Sequence, residues 1–192
     1  MGKNKQNRPA PRNSKPSVVK EILTRFAIFF GTLGLFYGVT AMSWFRDSLF
    51  PAYLRLNARI SAWILDLLGE NAGCREFLVF TSKFQLEIRK GCDAIEPSAL
   101  LVAAVLISPA TKRQKLTALA VGVPILLVVN LVRIISLYYT GVHYPESFEM
   151  VHVDIWQPGF VALTLIVWAL WAASVMAKAN KPKPAPAAEE AS

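Results

Sequence analysis

The chain has 192 residues, a formal charge of +8, 54% apolar residues and a mean hydropathy of +0.37. That is one domain's length but too apolar for an ordinary soluble domain, and several apolar runs approach the roughly 18–20 residues that cross a bilayer, so composition points to a polytopic all-α membrane protein. The basic residues cluster outside the apolar runs, a pattern of membrane topology rather than of nucleic-acid binding, and two cysteines, Cys74 and Cys92, supply neither a disulfide framework nor a clustered-thiol metal motif.

Residues 1–25 carry seven Lys/Arg among Pro, Asn and Ser and read as a disordered basic tail. The first span is expected over 26–45. Val39-Thr40-Ala41 resembles a signal-peptide cleavage site, but the apolar run continues through Met42, Trp44 and Phe45, which favours an uncleaved anchor. Residues 52–70 contain Arg55, Asn57, Arg59 and Asp66 and are too costly to span. Tyr53, Leu56, Ile60, Trp63, Ile64 and Leu67 share one helical face, which predicts an amphipathic helix lying in the interface. From Phe77 to Lys90 the period changes to two, with Phe84, Leu86 and Ile88 alternating with Gln85, Glu87 and Arg89 after a Thr81-Ser82-Lys83 turn. A short β-hairpin packed on the amphipathic helix is expected there.

Further spans are expected over 94–110, 116–139 and 155–177, separated by the basic loop 111–115 and a polar loop, 141–154. Residues 26–179 thus form a single membrane-embedded domain of about four helices, and 180–192 a second disordered tail. Thirteen Lys/Arg fall on the side of the two tails and residues 111–115, against seven in 46–93 and 141–154. Short basic segments stay inside, so both termini are expected in the cytoplasm of a bacterial inner-membrane protein, with Cys92 and His152 on the outer, periplasmic side.

Three residues from separate segments meet on that side. Arg133, inside the third span, costs at least about 2.5–3.5 kcal/mol on insertion scales and needs a partner, a wet cavity or a snorkelling path to the headgroups. Asn130, three residues earlier, shares its helix face. Cys92 follows Gly91 at a polar–apolar boundary. It reads as a packing residue, as a partner for Cys74 in an oxidising compartment, or as a nucleophile at a helix N-terminus. Asp93 and Glu96 have capping-box spacing, and their charge opposes a thiolate. His152 alone reads as a solvated or capping residue. With His143, Glu149 and Asp154 it permits a metal site, but zinc-type spacing is absent, so neither metal nor cofactor is expected.

Gly91-Cys92-Asp93-Ala94-Ile95-Glu96, Asn130-Leu131-Val132-Arg133 and His152-Val153-Asp154-Ile155-Trp156-Gln157, in this order on successive spans, resemble the exosortase/archaeosortase family, most closely its exosortase H type. The resemblance implies a membrane-embedded cysteine transpeptidase or protease in which Cys92, Arg133 and His152 are the catalytic set. Asn130, Asp93, Glu96, Trp156 and Gln157 are the supporting motif residues. It also implies, as substrate, an exported protein ending in a short motif, an apolar helix and a basic tail, the motif containing Ile-Pro-Thr-Leu. Many relatives have small residues where this chain has Asp93-Ala94, and aspartate where it has Val153. From another class comes a non-enzymatic membrane assembly or scaffold protein whose polar cluster holds the outer segment on the bundle. A transporter fits less well, because four spans leave little room for a substrate path.

Overall fold

The computed structural model describes residues 18–179. Residues 1–17 and 180–192, read as tails, lie outside the described residues. The described residues form five α-helices and three short strands: α1 (Val18–Ala41), α2 (Phe50–Leu67), β1 (Gly73–Arg75), β2 (Leu78–Phe80), β3 (Gln85–Glu87), α3 (Ile95–Ile107), α4 (Lys112–His143) and α5 (Gln157–Ala179). A π-helical turn, Phe45–Leu49, leads into α2, and a second, Met150–Trp156, leads into α5.

Helix α4 is the axis of the molecule. Its start is set by a capping box, in which the Gln114 amide donates to Thr111 Oγ1 and the Thr111 amide to Gln114 Oε1 at 2.8 Å. Its end falls at His143, just before Pro145, whose ring disfavours helical backbone at Tyr144. Two apolar cores stack along α4. The inner one joins Leu101 and Val105 of α3 to Ala118 and Leu126 of α4 and Phe160 of α5. Gly122 lets α3 and α4 approach, since a Cβ there would lie 2.7 Å from the Leu101 side chain. The outer core joins Leu54, Ala58, Ala62 and Leu65 of α2 to Val79, Leu86 and Ile88 of the sheet region and Ile134 and Tyr138 of α4. Between Leu126 and Ile134 lies a polar layer, Asn130 and Arg133, which belongs to neither core.

The expected hairpin is present as β2 and β3, with Leu86 opposite Val79, and Thr81 Oγ1 accepts from the amides of Lys83 and Phe84 at the turn. The sequence pattern missed β1, which adds Cys74 opposite Val79 and makes a three-stranded antiparallel sheet in the order β1-β2-β3. Helix α2 packs on this sheet, though not with the face that the periodicity selected. Its buried stripe is Leu54, Asn57, Ala58, Ser61, Ala62 and Leu65, while Leu56, Trp63 and Leu67 stay exposed. Small residues admit the close approach of sheet and α4, and the large apolar side chains are left for lipid.

Among the described residues, three helical segments are long and apolar enough to cross a membrane, Val18–Ala41, Lys112–His143 and Met150–Lys178. The segment expected as the second span departs from this. α3 has only 13 residues, about 20 Å of rise against a hydrocarbon core of about 30 Å. The first span begins eight residues early, so residues 18–25 are helical rather than tail. Likewise α4 runs four residues beyond its expected outer end, and the expected loop 141–154 shrinks to a turn, because residues 150–156 are π-helical.

Candidate active site

The shortfall of α3 is made up by the non-helical segment 91–94. A chain at this depth cannot leave carbonyls unpaired, and here three successive ones are taken up by side chains from elsewhere. Arg133 Nη1 donates to the Gly91 carbonyl at 2.9 Å and Asn130 Nδ2 to that of Cys92 at 3.0 Å. The hydroxyl of Tyr53, on α2, donates to the Asp93 carbonyl. Asn57, one turn along α2, lies with its Oδ1 3.4 Å from Asn130 Nδ2 and so links α2 to the same layer.

Asp93, 3% exposed, clamps the segment from within: Oδ2 accepts from the Gly91 amide at 3.1 Å and Oδ1 from the Ile95 amide at 2.9 Å. The expected capping box with Glu96 therefore does not form. The helix starts one residue later, with Ala94 as its N-cap in the left-handed region at φ 60°, and Glu96 is exposed. Gly91 also has positive φ, 93°, which suits glycine. The two left-handed residues bracket Cys92 and fold the chain so that its side chain leaves the α3 axis.

Cys92 Sγ lies 3.0 Å from His152 Nε2. His152 is carried by the π-helical turn before α5, and π-helical turns occur often at functional sites. The His152 ring sits against Phe148, with centroids 5.9 Å apart. Both residues border a cavity of about 360 Å³ that also touches Ile134, Leu137 and Glu149. Cys74 and Cys92 are free thiols, so the alternative of a disulfide between them is not realised. Burial pushes the Cys92 thiol above the ordinary range; the positive charge of Arg133 opposes this and the Asp93 carboxylate adds to it.

Arg133 is 2% exposed, and its Nε and Nη2 are buried without a hydrogen-bond partner among the described residues. Its guanidinium lies 6.0 Å from the Phe160 ring centroid, a cation–π contact that favours the charge in a dry setting. It does not hydrogen-bond to Cys92 Sγ. It borders a second cavity, with Gly91, Glu96 and Gln157, on the α5 side of the segment. Of the expected residues, Cys92, His152, Arg133, Asn130 and Asp93 are thus in one network, Glu96 and Gln157 line the second cavity, and Trp156 packs on the inner core. Asp154 is exposed and makes no hydrogen bond to His152 among the described residues. His143 stacks on Tyr139 instead of joining His152. The sequence pattern does not single out Tyr53 and Asn57, because Tyr53 falls on the apolar face of the helix and Asn57 argues only against a span. Two polar side chains four residues apart on one helix were the available signal.

A family model described as transmembrane exosortase matches residues 20–172, which run from the first turn of α1 into α5 and include the sheet. No curated protein and no solved structure matches the chain.

Proposed function

The chain belongs to the transmembrane exosortase family and is a multi-pass membrane protein, and from that premise we propose that it is a cysteine transpeptidase or protease acting on C-terminal sorting tags of exported proteins. The observation that carries this reading is the Cys92 Sγ to His152 Nε2 distance of 3.0 Å beside a buried arginine. The thiol attacks the scissile carbonyl as its proton passes to His152 Nε2, forming the S–C bond of a tetrahedral intermediate. The C–N bond then breaks, His152 returns the proton to the leaving amine, and an acyl-thioester remains on Cys92. An acceptor amine or water, deprotonated by the same imidazole, releases it.

Arg133 contributes through its field. Its fixed charge favours the negative charge that moves from sulfur to the carbonyl oxygen, and in a dry pocket such a charge acts strongly. Asn130, Tyr53 and Asp93 hold the Cys92 backbone in place. The four-residue turn between α3 and α4 supports an alternating course of α1, the α3 segment, α4 and α5 with both ends of the domain on one side. The thirteen Lys/Arg on that side against seven on the other favour the cytoplasm for it, which leaves the nucleophile facing the periplasm of a bacterial inner membrane.

Co-expression with a reporter ending in Ile-Pro-Thr-Leu, an apolar helix and a basic tail tests the proposal. Tag removal is expected from the wild type and not from Cys92→Ala, Cys92→Ser or His152→Ala. The non-enzymatic scaffold reading predicts instead that Cys92→Ser is tolerated, and full tag removal by Cys92→Ala would overturn the proposal.

A further inference from the structure

β3 is an edge strand, and its free edge borders the cavity that holds Cys92 and His152. The pairing fixes which backbone groups are free. The Ile88 amide donates to the Phe77 carbonyl and the Phe84 carbonyl accepts from the Thr81 amide, so Phe84, Leu86 and Ile88 turn their backbone groups toward β2. In an antiparallel ladder the intervening residues point the other way. Gln85 and Glu87 therefore present N–H and C=O groups outward, unpaired among the described residues. Every residue from 84 to 90 lines the cavity, without alternation. A cavity on one face of a strand would touch every second residue, so contact with the consecutive paired residues 84 to 88 places this one along the strand's edge, and the same cavity continues to the reacting sulfur and imidazole.

We infer that the substrate binds by strand addition: an extended segment of the exported protein, on the N-terminal side of its apolar helix, pairs with the free edge of β3 and so brings its scissile carbonyl to Cys92. This rests on the reaction proposed above and specifies how the same site recognises its substrate. Main-chain pairing supplies affinity with little demand on side-chain identity, as in other strand-addition complexes. An extended peptide is also the form in which a chain leaving a membrane helix fits a narrow groove. β3 has three residues and ends at the exposed Glu87–Arg89 ion pair. A short, charged edge of this kind discourages pairing with other copies and leaves room for one short segment.

The test uses the full-length enzyme in detergent and synthetic peptides carrying the Ile-Pro-Thr-Leu segment and apolar helix, N-methylated at one backbone amide at a time. Strand addition predicts a period-two pattern, with processing reduced about tenfold or more when the methyl group replaces an edge-facing N–H and within about twofold at the intervening positions. Glu87→Pro removes an outward N–H and no ladder bond, and it is expected to raise KM about tenfold relative to Glu87→Ala, which retains the N–H. Equal losses at every position, no loss at any, or equal KM for the two Glu87 variants would overturn the inference. Failure of the unmodified peptide to be cut by wild type would instead overturn the proposed reaction, and this inference with it.

Discussion

Cys92 sits between opposing influences, and their balance decides how the reaction begins. Burial and the Asp93 carboxylate raise the thiol pKa, Arg133 lowers it, and the balance lies above the ordinary range. In the proposed reaction the thiol proton therefore passes to His152 as the carbonyl is attacked rather than beforehand. Alkylation of Cys92 by iodoacetamide should accordingly keep rising with pH beyond the range of an unperturbed thiol. Arg133→Gln removes the opposing charge and should move the profile further up, whereas Asp93→Asn should move it down. A profile already flat at neutral pH, as for a preformed thiolate–imidazolium pair, would contradict this account. On the reaction itself, His152→Ala should cost about 10²–10⁴-fold and Arg133→Gln about 10²–10³-fold in the rate of tag removal.

The element that makes the site is an interruption. α3 begins only at Ile95, and in the four residues before it the carbonyls at 91, 92 and 93 are bonded by side chains of α4 and α2. Irregular backbone is tolerated at this depth only because protein surrounds it. Removing one donor leaves a carbonyl unpaired in a dry layer, at a cost of about 1–3 kcal/mol. Tyr53→Phe keeps the ring and deletes only the hydroxyl. It should lower unfolding stability in detergent by about that amount and reduce processing, with Cys92 and His152 intact. If Tyr53→Phe leaves both stability and processing at the wild-type level, the segment is not held as described. The same interruption explains why a helix too short to span still delivers its first residue to the level of Arg133.

At the scale of the whole molecule, two apolar cores meet at a polar layer and the proposed chemistry occupies the seam. Topology reporters fused at position 113 should remain cytoplasmic and those at position 80 should be exported; an exported residue 113 would reverse the orientation. Much of this arrangement was legible in the sequence. Apolar runs located α1, α4 and α5, the period-two stretch located β2 and β3, and an arginine within a span located the polar layer. What the sequence concealed was contact between distant segments. The short α3 read as a span because its apolar run continues through Ala110, although helical backbone ends at Ile107. Between Leu54 and Leu65 the buried stripe of α2 consists of small residues and one asparagine, which a hydrophobicity pattern ranks below Leu56 and Trp63. The role of Asp93 depends on the left-handed turn at Ala94, which no propensity favours. The central claim, that Cys92 carries the acyl group, is tested most directly by intact-protein mass spectrometry after acid quench of the enzyme reacting with the tagged peptide. The account predicts an adduct of the N-terminal peptide fragment on Cys92, released by hydroxylamine and missing in Cys92→Ala; turnover of the peptide by Cys92→Ala at the wild-type rate, with no adduct in either protein, would contradict it.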